Sequence, residues 1–462
     1  MRSEQKADLG QGSVGKLLFQ LALPAICAQV VNMLYNIVDR IYIGHIPGIG
    51  AAALTGVGVT FPIIMLISAF SALVGMGGAP LASIEMGKGD DDRAERILGN
   101  CFVTLLITSV VLTLFFLLTG ERLLLLFGAS EDTISYALGY LNIYVCGTIF
   151  VQIALGLNAF ISSQGFARTS MYTVMIGAVI NIVLDPIFIF VFDMGAQGAA
   201  LATILSQAVS CVWVLVFLTG KRTKLKIRRR NLRIRAKVLL PVLALGVSPF
   251  IMQSTESLVS VSLNSSLQRY GGDLAVGAMT ILASLMQMLN MPMMGLTQGA
   301  QPIIGFNYGA GKYDRVKKAF RLLLGSTVTY STVFWLLIML APGMFISIFN
   351  RDPALLQISS WAARIYLGAV FMLGIQIACQ QTFLAVGQAK ISLFLALLRK
   401  IILLIPLIYI LPMFLQDKVF AVFLAEPVAD FLASASTALV FALNIKKILA
   451  PKTGGEENTL QE

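Results

Sequence analysis

A chain of 462 residues that is 57% hydrophobic, only 12% charged and +11 in net charge lies far from soluble domains, which carry about 25% charged residues. Apolar runs too long for a soluble core recur from one end to the other, so the composition excludes a soluble globular domain and predicts an all-α polytopic membrane protein. The positive charge does not point to nucleic acid, because it sits in short loops between the apolar runs.

Twelve spans are expected, near 16–44, 51–80, 95–119, 133–163, 168–192, 196–219, 238–267, 274–300, 316–341, 355–386, 390–414 and 419–444. The first follows a mixed-charge head with no small-residue cleavage site and is too long for an h-region, so no cleavable signal peptide is expected. Its second half, "VVNMLYNIVDRIYIG", carries Asp39, with Tyr35 one turn back and Asn36 and Asn32 continuing the stripe. Pro24 marks a bend, because proline removes a helical N–H and clashes with the preceding turn. Arg40 adjoins Asp39 but points about 100° away on a helix, which suits an interfacial anchor. His45 falls in a short loop and reads as solvated.

Span two contains "GMGG" (Gly75 to Gly78), which suits close helix packing. The turn that follows, "GKGDDDRAER" (Gly87 to Arg96), lacks the Gly-Lys-Ser/Thr ending and the preceding strand of a phosphate loop. It reads as a chain reversal in which Asp90 to Asp92 cap the next helix.

Span five, "NIVLDPIFIFVF" (Asn181 to Phe192), places an acid inside an apolar segment, at a cost of about 2.5–3.5 kcal/mol. Asn181 is one turn before Asp185 and shares its face. Pro186 frees a carbonyl and invites a kink. Asn158 of span four and Thr203 of span six complete a polar set that can hold a proton or Na⁺. The structural alternative is a buried polar knot that only fixes helix packing.

The loop "GKRTKLKIRRRNLRIRAK" (Gly220 to Lys237) holds ten Lys/Arg, and the other even-numbered loops are also basic. The odd-numbered loops hold single cations, Arg122, Arg269, Arg351 and Lys418. This asymmetry follows the positive-inside rule, with both termini cytoplasmic.

Span seven carries Glu256 beside a stripe of Gln253, Ser257, Ser260 and Asn264. Span ten carries Arg364, and span eleven carries Arg399 and Lys400; an ion pair to Glu256 competes here with a role in binding substrate. Glu426 and Asp430 of span twelve are weaker candidates. Span eight is rich in methionine around Met286 and Gln287, which suits either core packing or an adaptable surface for apolar ligands. Candidate lining of a substrate cavity is therefore Glu256, Gln253, Asn32, Met286, Gln287, Lys400 and Arg399. The five cysteines lie in apolar spans with no CxxC pair and read as packing residues. No catalytic triad, metal motif or nucleotide site is apparent.

The chain repeats itself at an offset of 222 residues without a gap. Gly87, Gly89, Asp92 and Arg93 meet Gly309, Gly311, Asp314 and Arg315; Pro80 meets Pro302; Ile143–Tyr144 meets Ile365–Tyr366; "GFARTS" meets "GQAKIS". Each repeat holds six spans, so both enter the membrane from one side and are related by a pseudo-two-fold axis along the membrane normal. The expected organisation is an N-lobe (1–219), a basic inter-lobe linker (220–237), a C-lobe (238–445) and a cytoplasmic tail (446–462).

"YNIVDRIYIGHIPGIGAAALTGVG" (Tyr35 to Gly58), the Gly-x-Gly-x-x-Asp-Arg turn and the two six-span halves resemble the MATE family, the multidrug and toxic compound extrusion transporters, in particular its bacterial multidrug-efflux and DinF-like branches. The resemblance implies a V-shaped pair of lobes and an exporter of cationic amphipathic drugs coupled to H⁺ or Na⁺, with no other cofactor. It implies a coupling site at Asp39, Tyr35, Asn158, Asn181, Asp185 and Thr203, with Na⁺ held by Asp39, Asn181, Asp185 and Thr203, and Pro24 and Pro186 as hinges. Glu256 matches the span-seven acid of another branch, whose span-ten aspartate is missing here, so a C-lobe Na⁺ site of that type is not expected. The expected setting is the cell membrane, as a monomer, with no nucleic-acid partner. H⁺ is slightly favoured over Na⁺. The rival reading is a lipid or lipid-linked glycan flippase of the same superfamily, in which Arg364, Arg399 and Lys400 would hold an anionic head group. A membrane enzyme is disfavoured by the single loop histidine.

Overall fold

The computed structural model describes residues 8–127, 129–349 and 353–449. Arg351, the first seven residues and 450–462 of the tail lie outside the described residues. The described residues form helices and connecting turns, with no strand.

In the first half, α1 (Val14–Gly44), α2 (Gly50–Lys88) and α3 (Asp91–Leu126) are long single helices. α4 (Ile134–Cys146) and α5 (Thr148–Ser163) form one span bent by 58°. α6 (Ala167–Pro186) runs into a π-helical turn at Ile187–Val191, and α7 (Gly195–Thr219) closes the half. In the second half, α8 (Ala236–Gly309) comprises two spans separated at Gly272, whose φ of 65° is glycine territory. α9 (Tyr313–Leu340) and the short α10 (Pro342–Ile346) follow. α11 (Pro353–Tyr366) and α12 (Val370–Ala385) form a second bent span, at 48°. α13 (Ala389–Leu397), a π-helical turn at Leu398–Leu404 and α14 (Ile405–Phe414) make one span, and α15 (Lys418–Ile448) the last. Among the described residues, ten helices are long and apolar enough to cross a membrane, and with each bent pair taken as one span the number is twelve. Both bends fall at the same position of the repeat, at Gly147 and Ala369.

The helices run longer than the apolar runs, and α3 and α15 begin at an aspartate that caps the first turn. Asp90 is the N-cap of α3, accepting from the Arg93 N–H at 2.8 Å. The expected triple cap is narrower than that: Asp91 and Asp92 turn instead to linker cations, Lys224 at 2.6 Å and Arg230 at 2.5 Å. α1 is hydrogen-bonded as one helix through Pro24. Large apolar side chains such as Leu118 (82% exposed) and Phe414 (81%) point outward, as expected of faces that a bilayer covers.

The two halves meet at the end that carries residues 8–13 and the linker, called here the linker end. α2 crosses the second span of α8 at glycine. A Cβ on Gly87 would strike the Phe306 carbonyl, and one on Gly309 the Ile84 carbonyl. These two glycines are the same position of the two repeats. Further in, Gly77 packs on Val242 and Gly246, while Gly295 and Gly299 pack on Ile26 and Ala22 of α1. Lipid gives helices no hydrophobic reason to associate, so this close approach supplies the contact energy. Gln29 donates to Gln298 at 3.3 Å, and Phe70 meets Phe250 edge-on at 5.0 Å, at the far limit of this junction. Gly309→Val is expected to lower the melting temperature of the purified protein markedly, since overpacking costs about 1–3 kcal/mol. Gly58→Val, where a Cβ meets nothing within 4 Å, is the control for helix propensity, and equal melting of the two variants would refute the crossing.

The linker is clamped to the first half. Gln164 Oε1 accepts from the N–H groups of Lys224 (3.0 Å) and Leu225 (2.9 Å), and Glu95 pairs with Arg228 at 2.8 Å.

Candidate functional site

Asp185 and Asn181 lie one turn apart on α6 and are both buried. The Asn181 amide donates to Asp185 Oδ1 at 3.1 Å and to Thr203 Oγ1 of α7 at 3.4 Å. α1 crosses this pair and brings the Asp39 carboxyl group beside that of Asp185, with Tyr35 near both. The π-helical turn begins immediately after Pro186, whose missing N–H already breaks the regular ladder. Such turns recur at functional sites.

Three oxygens of this cluster, Asp39 Oδ1, Asp185 Oδ2 and Asn181 Oδ1, are buried without a hydrogen-bond partner. All three are acceptors, and each buried unsatisfied polar group costs about 1–3 kcal/mol. Two carboxylates in contact also repel unless a proton or a cation lies between them. The donor set is oxygen only: two carboxyl groups, an amide carbonyl and a hydroxyl. That set fits a hard monovalent cation or protons. Among the described residues, no group of three or more His, Cys, Asp or Glu could hold a metal.

The structure brings together Asp39, Tyr35, Asn181, Asp185 and Thr203. Asn158 does not join them. Its amide donates to the Ser170 carbonyl at 3.3 Å, and Ser170 is eleven residues before Asn181 on the same helix, about 16 Å along the axis. The cluster contains a side chain that sequence reading missed. Tyr140 of α4 is buried close to Thr203 and Asp39, and it stacks on Tyr144 with ring centroids 6.2 Å apart. A signal was available: Tyr140 and Tyr144 are spaced i, i+4, and Tyr144 pairs with Tyr366 across the repeat.

In the second half, Arg399 and Lys400 are adjacent on the π-helical turn and face different partners. Lys400 pairs with Glu256 of α8. Arg399 bridges Asp430 at 2.7 Å and Glu426 at 3.5 Å on α15, with Tyr366 beside them. Arg399 is therefore committed to α15 within the protein, against its assignment as cavity lining. Met286, a cavity candidate, is instead buried in the core with Leu282, Leu285 and Leu289, as are Met279 and Met293, whereas Met294 is 38% exposed. Gln287 is exposed, Gln253 and Asn32 are half-buried, and the Glu256 side chain is 64% exposed, so these stay available to a ligand. Arg40 lies over the Phe61 ring at 5.5 Å, turned away from Asp39 as its helical position requires. His45 Nδ1 bonds the Ile41 carbonyl at the end of α1. The five cysteines are free thiols.

A family model described as MatE matches residues 24–187 and 249–410, once in each half. The multidrug export protein MepA of Staphylococcus haemolyticus is 23% identical over 435 residues, covering 94% of this chain and 95% of that protein. MepA of Staphylococcus saprophyticus is 24% identical over 411 residues, covering 89% and 90%. Among solved structures, an outward-facing multidrug resistance MATE transporter superposes with a TM-score of 0.89 at 23% identity, covering 97% of this chain and 99% of that one. A transporter from Pyrococcus furiosus superposes with a TM-score of 0.90 at 22% identity, covering 98% and 100%.

Proposed function

From the premise that the chain belongs to the MatE family, we propose that it exports cationic amphipathic compounds from the cell in exchange for H⁺ or Na⁺. The observation that carries the exchange is the cluster of Asp39, Asp185 and Asn181 with its three unpartnered buried oxygens. The export of varied small molecules is supported by the similarity to MepA proteins, which are multidrug export proteins. As a transporter it moves solutes without making or breaking bonds, so the acids act as ion ligands and not as catalysts.

The basic loops support an orientation with the linker end cytoplasmic and the Asp39–Asp185 site toward the outside of the cell membrane. The junction of the halves lies at the linker end, which corresponds to an outward-facing state. A cation arriving from outside neutralises the two carboxyl groups and removes their mutual repulsion. α1 then packs more closely on α6, with Pro24 as the point where its hydrogen-bond ladder is weakest. The cavity shrinks and the drug leaves. In the inward-facing state the ion departs, and the ionised pair attracts the next cationic drug. The flippase alternative needs free cations in the cavity. Arg399 and Lys400 are each held by carboxylates, which favours drug export, while the third candidate cation, Arg364, is exposed in the last turn of α11.

The test is efflux of a fluorescent lipophilic cation from vesicles containing the purified protein, under an imposed H⁺ gradient and, separately, an imposed Na⁺ gradient. Export under one of them identifies the coupling ion, and Asp39→Asn removes that export. Export unchanged in Asp39→Asn, or independent of both gradients, overturns the proposal.

A further inference from the structure

A cavity of about 340 Å³ opens at the linker end, between the end of α2, the start of α3 and the start of α8. Four cations line it: Arg93 and Arg96 from α3, and Arg235 and Lys237 from the approach to α8. Among the described residues, the side chains of Arg96, Arg235 and Lys237 make no ion pair. Arg93 keeps only a long contact to Glu85, at 3.8 Å. The two acids of the cavity wall are occupied elsewhere. Glu85 pairs with Lys88 at 2.9 Å, and Asp90 caps α3.

The internal repeat shows what this groove does when it is filled. Arg315 is the counterpart of Arg93. Its guanidinium donates to the carbonyls of Gly12 (2.7 Å), Gln11 (2.9 Å) and Leu9 (3.4 Å). Lys312 donates to the Gly10 carbonyl at 2.9 Å, and Asn307 to that of Leu9 at 2.8 Å. In the second half, then, the chain entering α1 fills the groove with carbonyl oxygens. In the first half the corresponding chain is the linker, and the acids of α3 pull it aside: Arg230 to Asp92 and Arg228 to Glu95. The Arg235 N–H is taken by Asn100 Oδ1 at 2.7 Å. The cations are left facing an open cavity instead of acceptors.

We propose that this cavity binds the phosphate-bearing head group of one anionic phospholipid. Phosphate supplies to Arg93, Arg96, Arg235 and Lys237 the oxygens that the N-terminal chain supplies to Arg315. Lipid is the source because the same wall continues into apolar side chains, Leu81, Val238 and exposed Pro241, with Leu240 beside them 64% exposed. A head group seated on the cations lays its acyl chains along that surface. Basic pockets between helices at the membrane interface recognise head groups in this way.

The test is mass spectrometry under native conditions on the full chain in detergent, titrated with phosphatidylglycerol, phosphatidylcholine or glycerol 3-phosphate. Wild type is expected to retain one phosphatidylglycerol. The triple variant Arg96→Gln, Arg235→Gln, Lys237→Gln is expected to bind it about a hundredfold more weakly. The control triple Lys221→Gln, Arg222→Gln, Arg233→Gln removes equal charge from the same loop outside the cavity and is expected to bind as wild type does. Equal loss in both triples, equal retention of phosphatidylcholine, or glycerol 3-phosphate bound as tightly as the lipid overturns the proposal. If the cavity triple does not fold, Arg96→Gln alone carries the test, with an expected loss of about fivefold.

Discussion

Asp185→Asn is expected to abolish gradient-driven export while leaving the protein folded. In one-for-one exchange, a tenfold ion gradient supplies about 1.4 kcal/mol and sustains at most a tenfold drug gradient. Wild type should approach that ratio, and the variant should settle at a ratio near one. The substitution keeps the shape of the side chain, and its carbonyl still accepts from the Asn181 amide, now at 3.1 Å to Asp185. What it removes is one of the two carboxyl groups that must share a proton or cation. The paired measurements are the steady-state drug ratio in vesicles and the melting temperature in detergent. A variant that still builds a tenfold ratio would show that α6 takes no part in coupling. One that also melts early would show a packing role instead.

Arg399→Met is expected to be the most destabilising single change in the second half. It leaves Glu426 and Asp430 buried, 5% and 1% exposed, without their cation. Breaking a buried pair by removing one partner costs about 3–5 kcal/mol, a large share of a total stability of about 5–15 kcal/mol. Adding Glu426→Gln and Asp430→Asn to the same chain should restore much of the loss, because the orphaned charges go with it. Lys400→Met is the contrast. Its partner Glu256 is 64% exposed, so losing the lysine leaves no acid enclosed among side chains and the melting temperature should change less. Equal melting of Arg399→Met and Lys400→Met would mean that the Arg399 bridge contributes nothing.

Asp185 was legible because a carboxyl group inside an apolar run is costly, and Asn181 because helical geometry places i and i+4 on one face. The repeat was legible too, from paired motifs at one constant offset, but the two bent spans and the glycine crossing at Gly87 and Gly309 emerged only in the structure. Asn158 was misplaced for a physical reason. Its neighbour on α6 depends on how α5 is placed along α6, and the contact it makes, Ser170, lies about 16 Å from Asn181 along that helix, an offset no pattern within α5 encodes. Tyr140 was missed because a tyrosine in an apolar helix looks like packing until the opposite helix is known. Arg399 and Lys400 were seen, and Glu256 was anticipated as the ion-pair partner of one of them; the Arg399 bridge to Glu426 and Asp430 was not, since the π-helical turn changes the angle between neighbouring side chains.

The sequence by itself determined the solvent, the number of spans, the duplication and which titratable groups are too costly to be accidental. These follow from composition and from periodicities within one helix, where the backbone dictates the geometry. Only the tertiary structure decided which of those groups meet. It joined Asp39 to Asp185 across distant helices, turned Arg399 toward α15 and Lys400 toward α8, and left Arg96 and Lys237 over an open cavity while Arg315 was saturated by the chain. Those outcomes depend on helix rotation and crossing. Close contacts such as Gly87 on Phe306 and Gly309 on Ile84 set both, and no local pattern encodes them.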